Sequence, residues 1–127
     1  LDCDVIQADG GTRTAAITGA WVALRIATER MLLAGSITRQ PVRENVAAIS
    51  CGVWQGLCVA DLDYAEDSNA EIDANFVLSG NGGLVEIQAT GEERPFRRDE
   101  LDKLLDLAEA GCNQLFTLQD GAVRAAL

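Results

Sequence analysis

The stretch from Ile72 to Ala89 constrains the fold most. Ile72, Ala74, Phe76 and Leu78 alternate with Asp73, Asn75, Val77 and Ser79, Gly80-Asn81-Gly82-Gly83 turns the chain, and Leu84 to Ala89 reads as a second strand. Alternation puts Ile72 and Phe76 on one face and Asp73 on the other. The glycines and Asn supply the backbone freedom that a tight turn needs. A second pair of apolar runs, Val46 to Trp54 and Leu57 to Leu62, flanks Gln55-Gly56, the length of a two-residue hairpin connection. Such strand pairs need a cover for their apolar face. Two helical patterns provide it: Ile17, Ala20, Trp21, Leu24, Ala27 and Met31 near the start, and Leu101, Leu104, Leu105, Ala108, Cys112 and Leu115 at the end. Arg39-Gln40-Pro41 breaks or kinks the chain beyond the first helix. The expectation is an α+β domain with its sheet packed by two amphipathic helices.

At 127 residues and 48% hydrophobic content the chain is one domain's worth at most. Arg, Glu or Gly interrupts every long apolar stretch, so no membrane span or signal peptide is expected, and the sequence is read as cytoplasmic. Cys3, Cys51, Cys58 and Cys112 form no CxxC pair, and the chain has no histidine. That pattern argues against a zinc site and for reduced cysteines.

The stretch Gln7 to Trp21, QADGGTRTAAITGAW, sets a short apolar run, Val5 to Ala8, read as a strand, against a helical pattern that begins at about Thr14. Gly10-Gly11-Thr12-Arg13 then sits at a strand-to-helix corner. A helix N-terminus offers free N–H groups and partial positive charge, and Arg13 adds a planar fork suited to phosphate. The residues alone leave two readings, an ordinary turn or an anion site. Further along, the acidic stretch from Asp61 to Asp73 places Asp67 and Asp73 close enough in chain to converge on one divalent cation, which needs only one or two carboxylates beside water and phosphate oxygens. A solvated acidic loop is the other reading. The net charge of −10 speaks against nucleic acid over most of the surface, yet Arg13, Arg25, Arg30, Arg39 and Arg43 gather in the first third.

Taken together, DCDVIQADGGTRTAAITGAWVAL followed by VAAISCGVWQGLCVADLDYAEDSNAEIDANFVLSG and the C-terminal helix resembles the second half of the bacterial ribonuclease PH family. The resemblance runs from about residue 2 to 119, with both motifs in order. It implies one β/α half of a fold similar to the ribosomal-protein-S5 second-domain type, so that residues 1–127 would be the C-terminal half of a ribonuclease PH domain, without its N-terminal half. It further implies a phosphate-dependent 3′→5′ exoribonuclease that trims tRNA precursor 3′ ends, releases nucleoside diphosphates and assembles as a homo-oligomeric ring of dimers. Inorganic phosphate is then the co-substrate, held at Gly11, Thr12 and Arg13, and Mg²⁺ or another divalent cation is associated with Asp67 and Asp73, with Glu71 a weaker candidate nearby. Because the nucleophile arrives as phosphate, no Ser, Cys or His nucleophile is needed.

The resemblance has two departures. The N-terminal half, which in the family contributes another phosphate-contacting arginine and much of the basic tRNA surface, has no counterpart here, so activity would require that half to be supplied. Arg97 stands where a Ser would complete a capping box with Glu100, an expected loss of about 1 kcal/mol at that helix start. The alternative is a catalytically silent ring-forming or RNA-binding subunit; the presence of Thr12, Arg13, Asp67 and Asp73 together favours the enzyme. Trp21 and Trp54 are expected in the core, Arg25 and Arg30 on the helix surface, and Glu86 and Gln88 in structural or interfacial roles.

Overall fold

The computed structural model describes all 127 residues. The elements run α1 (Thr12–Leu33), β1 (Val46–Trp54), β2 (Leu57–Ala60), α2 (Tyr64–Asp67), β3 (Ile72–Ser79), β4 (Leu84–Gly91) and α3 (Arg98–Ala126). The strands form one antiparallel sheet in the order β2-β1-β3-β4. Gln55 and Gly56 both have positive φ, 50° and 75°, so their two-residue turn matches the twist of the β1–β2 hairpin even with a non-glycine first residue.

Register decides which face becomes the core. Ile49 pairs with Phe76 and Cys51 with Ala74, so odd positions of β1 and even positions of β3 share one face. That face is covered by α3 through Leu104, Ala108 and Cys112, all fully buried. The predicted C-terminal stripe is the one the fold uses. The opposite face of β1 and β3 carries Ser50, Asp73 and Asn75, the polar side that the alternation assigned to Asp73.

The first helix differs from expectation. Its buried residues are Thr14, Trp21 and Thr28, while Leu24, Met31 and Leu33 are exposed. The reason is what α1 covers. β2 pairs only with residues 51–54 of β1, and α1 lies along the rest of that edge, where unpaired peptide groups and not apolar side chains must be satisfied. Thr18 Oγ1 accepts from the Ala48 N–H at 2.9 Å and donates to the Ala48 carbonyl at 3.1 Å. The buried Gln119 of α3 donates to the carbonyls of Thr18 and Val46, at 3.0 and 2.9 Å, and ties the two helices to the strand. The helix therefore needs hydroxyls where an amphipathic helix would place leucines.

Other corrections are local. No strand forms over Val5 to Ala8; residues 1–9 are exposed, and two apolar side chains among Asp2, Asp4, Gln7 and Asp9 cannot bury enough surface to hold one. The helix starts at Thr12, β2 stops at Ala60 and β4 runs on to Gly91. Trp21 is buried, with its indole N–H on the Glu44 carbonyl at 2.8 Å, and Trp54 is half-buried. Arg25 is not a free surface residue; it donates to the Val42 carbonyl at 2.7 Å and pairs with Glu29 at 2.8 Å. All four cysteines are free. At α3, Glu100 Oε2 accepts from the Arg97 N–H at 2.8 Å, whereas the Arg97 guanidinium has no acceptor to offer and pairs instead with Asp99. One half of the capping box forms without its Ser. No helix is long and apolar enough to cross a membrane.

Candidate active site

The corner before α1 is built by close backbone approach. Asp9 Oδ1 accepts from the Gly10 N–H at 2.9 Å and the Tyr64 N–H at 2.7 Å, which fastens the corner to the first residue of α2. A Cβ on Gly10 would meet the Leu62 carbonyl and lie 2.6 Å from Asp63 C, so only glycine fits. Gly11 takes φ 67° and ψ 25° as the residue that enters the helix, and no side chain caps it. The first-turn N–H groups of α1 are thus left without a side-chain partner. Thr12 Oγ1 donates to the Asp9 carbonyl at 2.9 Å and Thr14 Oγ1 to that of Gly11 at 2.8 Å.

The acidic stretch sorts itself by use. Asp63 and Glu66 cap α2 reciprocally, at 2.9 and 3.1 Å. Glu71 accepts from the Gly56 N–H at 2.8 Å through one oxygen and from Arg94 Nε at 2.9 Å through the other, so the weaker metal candidate is a strut and lies outside the site. Asp67 and Asp73 make no side-chain hydrogen bond or ion pair within the chain. Asp61 is likewise unpaired but lies outside the cleft that Asp67 and Asp73 line.

These pieces meet. A polar cleft of about 210 Å³ is lined by Asp9, Gly11, Thr12, Arg13, Ser50, Asp67, Asp73 and Asn75, bringing every predicted site residue together. Burial, and then the charges of Asp67 and Glu92, push the Asp73 carboxyl above its ordinary value. Arg13 contacts Glu86 of β4 through Nη2 alone, at 2.8 and 2.9 Å, and both side chains are about half exposed. Its Nε and Nη1 donors have no partner within the chain.

The chain holds no cluster of three or more His, Cys, Asp or Glu placed to bind a metal. Asp67 and Asp73 fit a hard divalent cation only as a pair, with water and phosphate oxygens completing its shell. Sequence reasoning missed Asp9, Ser50 and Asn75. Asn75 could have been found, since it lies two residues beyond Asp73 in the same strand and shares its face. Ser50 lies inside the apolar run of β1, where nothing marks it, and the role of Asp9 depends on a contact 55 residues away.

Residues 44–111, more than half of the chain and including both aspartates, match the model of the 3′ exoribonuclease family, domain 2. The chain belongs to the 3′ exoribonuclease family. It is 63% identical over 123 residues to the ribonuclease PH of Caulobacter vibrioides, covering 97% of this chain and 52% of that relative. It is 58% identical, with the same coverage, to the ribonuclease PH of Methylobacterium radiotolerans. The chain thus spans about half the length of the curated relatives it matches. Among solved structures, rice Rrp46 superposes with a TM-score of 0.72 at 19% identity over 94% of this chain and 51% of that one. The Archaeoglobus fulgidus exosome with RNA bound to the active site gives 0.67 at 19% identity, over 87% and 44%. At that identity the two structures establish the α+β fold and nothing finer.

Proposed function

We propose that this chain is the C-terminal half of a phosphate-dependent 3′→5′ exoribonuclease that trims tRNA precursor 3′ ends, acting with an N-terminal half inside a homo-oligomeric ring of dimers. The observation that carries this reading is the single cleft in which an uncapped helix N-terminus with Arg13 faces a free carboxylate pair. A silent subunit has no physical need for both. The first-turn N–H groups and Arg13 bind and orient inorganic phosphate, and one phosphate oxygen attacks the phosphorus of the terminal phosphodiester. The new P–O bond yields a nucleoside diphosphate; the bond to the 3′ oxygen breaks, and that oxygen takes up a proton as the end of the shortened RNA. Asp67 and Asp73 would hold a divalent cation, Mg²⁺ or another, whose charge offsets that on the phosphoryl and departing oxygens.

The surface supports a partner. β4 is an open sheet edge with Leu84, Val85 and Ile87 exposed, and an apolar groove of about 710 Å³ between α1 and α3 carries Leu107, Leu115 and Leu118. An N-terminal half suits these faces. The test is the product: with that half supplied, an RNA bearing a 3′ extension should give nucleoside diphosphates only when phosphate is present. Arg13→Ala should raise the KM for phosphate and affect RNA binding less. Nucleoside monophosphates released equally without phosphate would refute the reading.

A further inference from the structure

We propose that the Ser50 hydroxyl is a further ligand of the attacking phosphate, a neutral donor in the wall of the cleft beside the α1 N-terminus. The inference rests on the phosphate reading above and names a residue that neither the motifs nor the resemblance supplied. Ser50 is 2% exposed, and its Oγ is the one buried side-chain polar atom in the chain without a hydrogen-bond partner. A buried hydroxyl that has lost water and gained nothing is rare and calls for a reason. Neighbouring hydroxyls are all satisfied within the chain: Thr12 by the Asp9 carbonyl, Thr14 by that of Gly11, Thr18 by both peptide groups of Ala48.

Ser50 lines the cleft together with Gly11, Thr12 and Arg13. A Cβ on Gly11 would lie 2.9 Å from Ser50 Oγ and 3.1 Å from Thr14 Oγ1, so only a residue without a side chain lets the start of α1 lie this close to the hydroxyl. The first turn of α1 that Gly11 opens has no side-chain cap. N–H donors from the helix and the O–H donor from the strand then belong to one cleft, and an acceptor answers both. Asn75, the cross-strand partner of Ser50, and Asp73 stand in the same cleft, yet neither takes the serine proton. The donor is held for something that arrives.

The experiment titrates inorganic phosphate into the protein with its N-terminal half supplied, following the unfolding midpoint and steady-state phosphorolysis, for wild type, Ser50→Ala and Arg13→Ala. Ser50→Ala should weaken phosphate binding and raise the phosphate KM about tenfold, the equivalent of one hydrogen bond to a charged group. The KM for RNA should stay put. Without phosphate, the Ser50→Ala midpoint should equal or exceed that of wild type, because the change removes a hydroxyl that has no partner. Wild-type phosphate affinity in Ser50→Ala, with affinity lost in Arg13→Ala, would overturn this proposal and leave the phosphate site standing. Phosphate that neither stabilises wild type nor enters its product would overturn both. A Ser50→Ala midpoint lowered without phosphate, at unchanged phosphate affinity, would assign the serine to packing; a shifted Mg²⁺ requirement at unchanged phosphate KM would assign it to the cation. Either result refutes the proposal.

Discussion

Gly10→Ala should damage the protein more than Gly11→Ala does, the reverse of what backbone angles alone suggest. Gly11 has φ 67°, where an L side chain costs about 1–2 kcal/mol. The atoms that its new Cβ would crowd, Ser50 Oγ at 2.9 Å and Thr14 Oγ1 at 3.1 Å, are tips of side chains that can turn for about 1 kcal/mol. The sum is about 2–3 kcal/mol. Gly10 needs no positive φ, but a Cβ there meets the Leu62 carbonyl and sits 2.6 and 2.7 Å from Asp63 C and O. Those atoms are backbone and cannot turn aside. Relief requires the corner to separate from the loop, which breaks the 2.7 Å hydrogen bond from the Tyr64 N–H to Asp9, worth about 1.5–3 kcal/mol, on top of about 1–3 kcal/mol of overpacking. The expected loss is about 2.5–6 kcal/mol. Urea unfolding with the N-terminal half supplied, monitored by the fluorescence of the buried Trp21, measures both. Since the same contact holds Asp9 in the cleft, Gly10→Ala should also lose most activity. A Gly11→Ala loss equal to or larger than that of Gly10→Ala would refute the close-approach argument.

Gln119→Leu should destabilise by about 2–4 kcal/mol, because it leaves the Thr18 and Val46 carbonyls without their donor, and thermal melts would detect it. The Glu100 carboxyl is held down to about 2, first by its hydrogen bonds from Arg94 and then by the Arg97 N–H. A depressed carboxyl stabilises above its unfolded value of 4.5 and loses that contribution as pH falls toward 2. Melting curves across that window should therefore steepen toward acid in wild type and flatten in Glu100→Gln. Burial pushes the Cys51 and Cys112 thiols up to about 12 and 11, so alkylation at neutral pH should label the exposed Cys3 quickly and these two only on unfolding, as read by mass spectrometry.

The sequence was most legible where one element carries one period. The α3 stripe and the β3 alternation stand in the structure because each buries one continuous face, and the side of Asp73 came with them. The Gly-Gly-Thr-Arg corner was legible as a helix start, and Asp67 with Asp73 as a pair close enough in chain to share one cation, whereas the choice between a site and an ordinary turn or loop came from the family resemblance. The features that stayed hidden depend on contacts remote in chain. α1 reads as amphipathic, yet its role was set by the edge of β1 that β2 leaves bare, and no local pattern reports an empty edge. Arg13 and Glu86 lie 73 residues apart, so their pairing is a product of the β3–β4 register. Glu71 was a weaker candidate beside the pair that the resemblance implies; its partners Gly56 and Arg94 lie on either side of it in chain, and only folding brings them together.

The central claim is that Asp67 and Asp73 serve the chemistry and not the loop. Phosphorolysis of a tRNA precursor with a 3′ extension, by the Asp67→Asn and Asp73→Asn proteins with the N-terminal half present and Mg²⁺ varied, tests it most directly. Their action on charge that builds in the transition state predicts that kcat falls by orders of magnitude, about a hundredfold or more, while RNA binding is kept or slightly tightened by the loss of a negative charge. Near-normal turnover in both variants, with an unchanged Mg²⁺ requirement, would contradict the account and leave residues 61–73 as an acidic connection between strands.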